Sequence, residues 1–400
     1  MKLKFFKQII TTAIFFNAMF VFAQKKDVQV PDLTSSAQIS LLTVGRADDE
    51  IWQNFGHTAI RVKDSILGWD LVFNYGTFDF SDPDFMMKFI KRTLLYYESI
   101  DNFSDFEQMY REENRWIREQ VLNLSYVQKQ TLFERLTINA REENKYYIYD
   151  FLFDNCSTRP RDIILSLFKN KTFKTDVEDA ATYRQLIDRN VPNEWLDVGM
   201  DILIGIPTDQ PANFGRTFLP DELMQAFDSA IVDGHPLTKS NVLILDAVPQ
   251  YQQKQWITPD LVFWILFFVI LLLQLKFSFF SKYKFIPILY FSILGLLGYL
   301  FLFLWFFTDH QCTKWNLNIL WAMPLNIPFT WFLMKREIPK ITIFFIKIYR
   351  IVLIILLVAW GFNPQTYHSA VIPLILTAIL FTSIFLSIPK KDDFKNRLFG

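Results

Sequence analysis

The sequence is poor in cysteine and histidine and carries no net charge. Only two cysteines and four histidines occur in 400 residues, and 41 basic residues balance 41 acidic ones. Two cysteines are too few for a disulfide framework that replaces a hydrophobic core. The spacing of His, Cys and carboxylate residues does not suit zinc. We therefore expect neither a disulfide scaffold nor a metal or other cofactor.

The balanced charge is unevenly distributed along the chain. Basic residues exceed acidic ones in residues 1–23 and from residue 260 onward, whereas acidic residues are in excess between residues 24 and 259. An acidic body repels polyanions, which argues against a nucleic-acid partner. Glycine and proline are not abundant but phenylalanine is, with 43 residues, which excludes disordered and collagen-like classes.

The first 23 residues have the pattern of a secretory signal. Three lysines precede the apolar run 9–22, and the run ends in Val21-Phe22-Ala23. This pattern predicts cleavage before Gln24 and export of the body that follows. An uncleaved membrane anchor is the alternative, although the run is shorter than the ~20 residues that a span needs.

The last third of the chain is strongly apolar. Five apolar blocks predict membrane spans near residues 261–280, 285–307, 317–334, 341–362 and 370–388. The chain thus divides into a signal (1–23), an exported domain (24–259) and a membrane domain (260–400). Lysine and arginine cluster after the first, third and fifth blocks, which places the exported domain outside and the C-terminus in the cytoplasm.

The loop after the second predicted span is dense in polar residues, among them Asp309 and His310. One interpretation is a solvated interfacial loop, because charge costs little at the membrane surface. The other is that this loop completes a substrate site, since five spans exceed what anchoring requires.

In the exported domain, alternating residues predict strands over 39–44, 58–62 and 71–75, with a turn at 64–68. Ser81-Asp82-Pro83-Asp84 fits the start of a helix. For the apolar side of that helix we favour a core-facing role over a position on the membrane surface. Further helical patterns cover residues 103–121 and 125–144. We find no motif in residues 177–251, which would cover the site or link the core to the bilayer.

Cys156 is the one cysteine of the exported domain. Pro160 is tolerated only in the first turn of a helix, so Cys156 is expected at or next to a helix N-terminus. There the helix dipole and unpaired N–H groups favour a thiolate, and Arg159 and Arg161 add positive charge.

A nucleophilic thiol needs a base, and His57 at the start of a predicted strand suits this role better than His235 in a turn. Asn74, on the strand paired with that of His57, would orient the imidazole. Backbone N–H groups at Cys156, together with Asn155, would form an oxyanion hole. The alternatives are that Cys156 is inert packing, or that it pairs with Cys312.

Three groups of residues together resemble a known family. Phe55-Gly56-His57-Thr58-Ala59-Ile60-Arg61-Val62, Asn74-Tyr75-Gly76 and Asp154-Asn155-Cys156-Ser157-Thr158-Arg159 resemble the N-terminal periplasmic domain of the Bacteroides-type lipoprotein N-acyltransferases (Lnb). The C-terminal spans, with Asp309-His310 and Asn316-Leu317-Asn318, resemble the membrane part of that family. The order of the motifs also resembles the circularly permuted papain-like thiol enzymes of the NlpC type, a broader group that includes lecithin:retinol acyltransferase.

This resemblance implies an α+β fold, in which a permuted papain-like extracytoplasmic domain precedes a helical membrane domain in a bacterial inner membrane. It implies that Cys156 takes an acyl chain from a phospholipid as a thioester, with His57 acting as base and then as acid. The acyl chain would pass to the N-terminal amine of a diacylated lipoprotein. Arg159 and Arg161 would hold a phosphate.

Two other hypotheses remain open from the sequence. The first is a periplasmic cysteine peptidase or amidase that acts on peptidoglycan or peptides. The second is a non-enzymatic membrane sensor in which Cys156 is structural.

Overall fold

A computed structural model describes residues 30–173, 180–247, 255–335 and 338–387. The predicted signal and the basic cluster beyond residue 388 lie outside the described residues. Within them, the chain forms a mixed exported domain followed by a helical domain, which confirms the α+β class.

The elements are numbered in chain order. The strands are β1 Gln38–Val44, β2 His57–Asp64, β3 Trp69–Thr77, β4 Leu95–Asn102, β5 Ile117–Leu122, β6 Tyr146–Ile148, β7 Lys171–Thr172, β8 Ile231–Val232, β9 His235–Pro236 and β10 Thr238–Leu245. The helices are α1 Phe85–Lys91, α2 Phe103–Glu112, α3 Tyr126–Asn139, α4 Thr158–Leu165, α5 Tyr183–Asp188, α6 Glu194–Leu203, α7 Pro220–Ser229, α8 Pro259–Phe277, α9 Phe279–Lys282, α10 Phe285–Phe306, α11 Asn326–Leu333, α12 Lys340–Val358 and α13 Val371–Leu386.

A seven-stranded antiparallel sheet organises the exported domain, in the order β10-β5-β1-β2-β3-β4-β6. The three strands expected from alternation are confirmed as β1, β2 and β3, and the 64–68 turn joins the last two. Ala59 faces Asn74 across the β2–β3 pair. Because side chains alternate along a strand, His57 and Asn74 share one face of the sheet.

The two faces of the sheet bury different cores. On one face, Ile60, Val62 and Phe73 pack with residues of α3 and α4. On the other, Ala59 and Val72 pack with Phe106 and Tyr110 of α2. The helix that follows Cys156 and the side chain of His57 therefore lie on opposite faces, and both are at the end of the sheet where β2 begins and β3 ends.

The surroundings of helix α1 differ from those expected from the sequence. None of its residues, all of which the structure describes, is buried, so the predicted core-facing role is wrong. The helix begins at Phe85 after Asp84, whose side chain makes no capping hydrogen bond. Its apolar side lies on the surface instead.

The helical pattern over 103–121 is also only partly correct. Helix α2 ends at Glu112, and the residues from Ile117 form strand β5 between β1 and β10. Asn114 adopts a left-handed backbone conformation with φ of 51°, which a helix cannot continue through.

Residues 180–247, in which the sequence showed no motif, complete the sheet and connect the two domains. Strand β10 pairs with β5 at the edge of the large sheet. The C-terminal end of α6 contacts the helical domain, where the Asn316 side chain donates to the carbonyls of Ile202 (2.8 Å) and Leu203 (3.0 Å).

Three helices of the described chain, α8, α10 and α12, are long and apolar enough to cross a membrane, and α13 is a shorter apolar helix. The predicted third span is broken: a short turn, Leu317–Leu320, precedes the eight-residue α11. This segment packs closely on α10, since a Cβ on Gly298 would lie 2.1 Å from the Ala322 carbonyl oxygen. The number of five spans therefore stays a prediction.

Candidate active site

Cys156 lies two residues before the first residue of α4, next to the helix N-terminus as Pro160 predicted, and Asn155 holds the chain there. The Asn155 Oδ1 accepts from the N–H groups of Ser157 (2.8 Å) and Thr158 (2.9 Å). Its Nδ2 donates to the carbonyls of Phe151 (2.7 Å) and Phe218 (3.0 Å). Since both amide hydrogens are engaged, the Asn155 side chain holds the start of the helix in place, and its amide does not point to a substrate.

The thiol of Cys156 meets the sheet at the start of β2. The backbone N–H of Thr58, the residue after His57, interacts with the thiol. The Thr58 and Ser157 hydroxyls share a hydrogen bond of 3.0 Å. Opposite, Gly76 has a φ of 95°, and a Cβ built on it would lie 3.6 Å from the Cys156 Cβ. The positive φ therefore favours glycine at this position, where the strand contacts the cysteine.

Burial raises the pKa of the Cys156 thiol, although the N–H of Thr58 and the hydroxyls of Ser157 and Tyr149 act in the opposite direction. The expectation that Cys156 is a stabilised thiolate is therefore wrong. Desolvation outweighs the helix N-terminus because it penalises the charged form directly. At neutral pH the sulfur keeps its proton, and a base is needed to activate it.

His57 has the partner that the hairpin predicted. Its Nε2 lies 3.2 Å from Asn74 Oδ1, and Asn74 Nδ2 donates to Asp101 Oδ2 at 2.6 Å. Because the amide nitrogen of Asn74 donates to the carboxylate of Asp101, the amide oxygen of Asn74 must accept from the Nε2–H of His57. This network assigns the proton to Nε2 and leaves Nδ1 with its lone pair.

Burial is the main cause that lowers the pKa of His57 to about 4; the charge of Arg115 acts in the same direction, and the hydrogen bond with Asn74 acts in the opposite one. The imidazole is consequently neutral at neutral pH. A neutral imidazole with a fixed tautomer is able to accept a proton, which is the property that a general base requires.

Two site residues were missed from the sequence, Asp101 and Tyr149. Asp101 lies on β4, which pairs with β3. A prediction of the β3–β4 pairing from the sequence would have placed Asp101 beside Asn74. Tyr149 contacts the thiol from the chain that follows β6. Tyr149 belongs to an aromatic run that is evident in the sequence, but no role at the site was predicted for that run.

Arg159 and Arg161 are already paired. Arg159 binds Asp154 through two nitrogens (2.5 and 2.8 Å) and lies over the ring of Tyr147. Arg161 binds its neighbour Asp162 and donates to the Thr217 hydroxyl at 3.0 Å. That these guanidinium groups hold a phosphate stays a prediction.

Asp309 and His310 lie against the end of α1. The His310 Nε2 is 3.1 Å from the Ile90 carbonyl, and the Asp309 N–H donates to the Lys91 carbonyl at 3.2 Å. Arg92 donates to the Asp309 carbonyl (2.7 Å) and pairs with Asp150 (3.0 Å). The polar loop is therefore a joint between the two domains.

Cys312 and Cys156 are both free thiols, so the alternative in which they form a disulfide is not seen. Cys312 packs at the edge of an apolar cluster that includes Phe55 and Phe151. Burial raises its pKa to about 12. Within the described residues, no group of three His, Cys, Asp or Glu side chains is arranged to hold a metal ion.

Comparison with protein families adds two matches. Residues 32–189 match the family model described as the Lnb N-terminal periplasmic domain, and residues 251–392 match the Lnb transmembrane domain. Together the two matches cover three quarters of the chain. No curated protein and no solved structure is significantly similar to this chain.

Proposed function

Because the chain belongs to the Lnb family, we propose that it is a cysteine-dependent lipoprotein N-acyltransferase of the bacterial inner membrane. It moves a fatty acyl chain from a phospholipid to the N-terminal amine of a diacylated lipoprotein. The observation that carries this proposal is the contact of the Cys156 thiol with the N–H of Thr58, the residue that directly follows the neutral and oriented His57.

The first step forms an acyl-enzyme. Cys156 Sγ forms a bond to the ester carbonyl carbon of the phospholipid while its proton passes to Nδ1 of His57. The ester C–O bond then breaks, and the lysophospholipid leaves with the proton from His57. The N–H groups of Thr58 and Cys156 itself, which interact with the sulfur, support charge on the sulfur during this exchange.

The second step transfers the acyl chain. The α-amine of the lipoprotein's terminal cysteine attacks the thioester carbonyl, forming an amide as the C–S bond breaks. The amine loses a proton to His57, and the thiolate of Cys156 recovers it. Asn74 and Asp101 hold the imidazole throughout, and Asn155 holds the backbone of Cys156.

The proposal extends to the topology. The exported domain, periplasmic by family, has His57 on a strand before Cys156, which precedes a helix, and this order supports a permuted papain-like fold. Lysines after α8 and at Lys335 after α11 support a cytoplasmic side for those loops. With α11 and α13 counted as spans, the membrane domain would have five spans and a cytoplasmic C-terminus.

The test uses cells in which this chain is the sole lipoprotein N-acyltransferase, with mass spectrometry of lipoprotein N-termini as the readout. We expect Cys156→Ala and His57→Ala to leave lipoproteins diacylated with a free amine. Cys312→Ala is the matched control, since it removes the other free thiol, and it should leave N-acylation intact. Fully N-acylated lipoproteins in cells carrying Cys156→Ala would contradict the proposal.

A hydrolase would give a different result in the same cells. Unchanged N-acylation together with a loss of peptidoglycan cleavage in Cys156→Ala would support the peptidase or amidase hypothesis. Unchanged N-acylation and unchanged cleavage would support the sensor hypothesis.

A further inference from the structure

The exported domain exposes a group of large apolar side chains around α1 and the turn before β2. We name this group the apolar lip; its members, with their exposed fractions, are Ile51 (57%), Trp52 (52%), Phe80 (62%), Met86 (65%), Met87 (53%) and Phe89 (50%). Exposed apolar patches of this kind mark sites of interaction with membranes, ligands or other proteins.

Ring contacts join the two segments that supply the apolar lip. The ring of Trp52 lies 6.0 Å from that of Phe80, and the ring of Phe85 lies 5.0 Å from Phe80 and 6.2 Å from Phe89. The ring of Phe78 lies behind them, 4.7 Å from Phe80. The turn 51–55 is thereby joined to α1.

The apolar lip adjoins the loop that follows the long apolar helix α10. The end of α1 is hydrogen-bonded to Asp309 and His310, three and four residues after the end of the long apolar helix α10. A helix in contact with the chain as it leaves the bilayer has its exposed apolar side within reach of lipid. Aromatic and methionine side chains on a short amphipathic helix are suited to that interface.

Aromatic contacts lead from the apolar lip to the nucleophile. The ring of Phe78 lies 5.3 Å from that of Tyr96, and the ring of Tyr96 is stacked on that of Tyr149 at 4.6 Å. The Tyr149 hydroxyl interacts with the thiol of Cys156. A series of aromatic rings therefore connects the apolar lip with the sulfur.

We propose that the apolar lip inserts into the outer leaflet of the membrane and that phospholipid acyl chains reach Cys156 along the Phe78, Tyr96 and Tyr149 rings. The occupant of the surface is the bilayer, because the contact with the Asp309–His310 loop fixes α1 beside the membrane domain. This inference rests on the proposed function for the fate of the lipid, but not for the insertion itself.

Insertion is tested by photo-crosslinking in the full chain, reconstituted in nanodiscs of phosphatidylethanolamine and phosphatidylglycerol. A benzophenone amino acid replaces Met86 in one sample and Ile66 in another. Ile66 is equally apolar and 71% exposed, but it lies in the β2–β3 turn, at the far end of the hairpin from His57. We expect a phospholipid adduct at position 86 that is at least about tenfold more abundant than at position 66.

Delivery is tested by loading of Cys156 with acyl chains from the nanodisc lipid, measured by mass spectrometry. Phe80→Asp combined with Met86→Asp should reduce loading about tenfold or more. Ile66→Asp combined with Val127→Asp is the matched control at two exposed apolar sites elsewhere, and it should load normally. Alkylation of Cys156 by iodoacetamide should be unchanged in both double variants, which shows that the site is folded.

Four outcomes separate the hypotheses. Equal adducts at positions 86 and 66, or an adduct of position 86 with lipoprotein and not with lipid, would overturn the insertion. Normal loading of Cys156 with acyl chains in the Phe80→Asp, Met86→Asp variant would overturn the proposed route of the acyl chains from the apolar lip to Cys156. A wild-type chain that gives the lipid adduct at position 86 but never carries an acylated Cys156 would support insertion and contradict the proposed function.

Discussion

His57 and Asn74 are joined by a hydrogen bond of 3.2 Å between Nε2 and Oδ1, and Asp101 determines which end of the amide faces the imidazole. The three residues come from β2, β3 and β4, so the pairing of three neighbouring strands sets the protonation pattern of the imidazole. The register of these strands therefore determines that His57 keeps its free lone pair on Nδ1.

The first prediction concerns this hydrogen bond. Asn74→Ala removes the acceptor for Nε2–H, so the imidazole loses both its orientation and its preferred tautomer. We expect the rate of acyl transfer to fall about tenfold or more, a part of the 10²–10⁴-fold that general base catalysis contributes. The rate is measured with purified full chain and lipoprotein in nanodiscs.

Two controls accompany that variant. Asn144→Ala changes an exposed asparagine whose amide donates to the Ile138 carbonyl, and it should keep the wild-type rate. The thermal unfolding temperature of Asn74→Ala should stay close to that of the wild type. A wild-type rate of acyl transfer in Asn74→Ala would show that Asn74 does not position His57.

The second prediction concerns the protonation of the thiol. Because burial raises the pKa of Cys156 and lowers that of His57, the resting pair is a neutral thiol and a neutral imidazole. In the Cys312→Ala background, the rate of alkylation by iodoacetamide should rise with pH. Its midpoint should lie above the pKa of about 8.5 of an unperturbed thiol.

His57→Ala in the same background is the control for an ion pair. Since the thiol does not depend on an imidazolium for its charge, its alkylation profile should keep a midpoint above about 8.5. A wild-type plateau that begins below neutral pH and disappears in His57→Ala would reveal a preformed thiolate–imidazolium pair, contrary to this expectation.

The sequence predicted the positions of His57, Asn74 and Cys156 better than it predicted their surroundings. The pairing of His57 with Asn74 followed from local alternation and a five-residue turn, which set the register over a short distance. The position of Cys156 followed from Pro160, since proline is restricted to the first helical turn. These inferences depend on backbone geometry within a few residues.

The exposure of α1 was not predictable in the same way. An amphipathic helix has the same sequence pattern whether its apolar side faces a protein core or a lipid surface, and its neighbours in space decide between them. Likewise, the charges of Arg159 and Arg161 were visible in the sequence, whereas their pairing with Asp154 and Asp162 depends on side-chain geometry. The protonation of Cys156 depends on burial, which a single local motif does not reveal.

The third prediction concerns a buried ion cluster near the domain joint. Arg184, 1% exposed, binds Asp201 (2.7 Å) and Asp209 (2.9 and 3.0 Å). Arg184→Met leaves two carboxylates without their cation in a buried site. We expect the free energy of unfolding of the exported domain to fall by about 3–5 kcal/mol, measured by urea denaturation of the full chain.

Arg46→Met is the matched control, because Arg46 forms a partly exposed ion pair with Asp221 at 3.4 Å. Its loss should cost no more than about 1 kcal/mol. Adding Asp201→Asn and Asp209→Asn to Arg184→Met should restore part of the lost stability. If Arg184→Met and Arg46→Met were equally stable, the buried cluster would not contribute in this way.

The end of α6 has a practical consequence for work on this protein. The carbonyls of Ile202 and Leu203 receive their hydrogen bonds from Asn316, and Gly205 lies so close to the loop that a Cβ would be 2.1 Å from the Lys314 oxygen. A fragment that stops before α8 would leave these carbonyls without those donors and uncover the apolar cluster beneath Cys312. Purification and assay are therefore best designed around the intact chain, with detergent or nanodiscs from the first step.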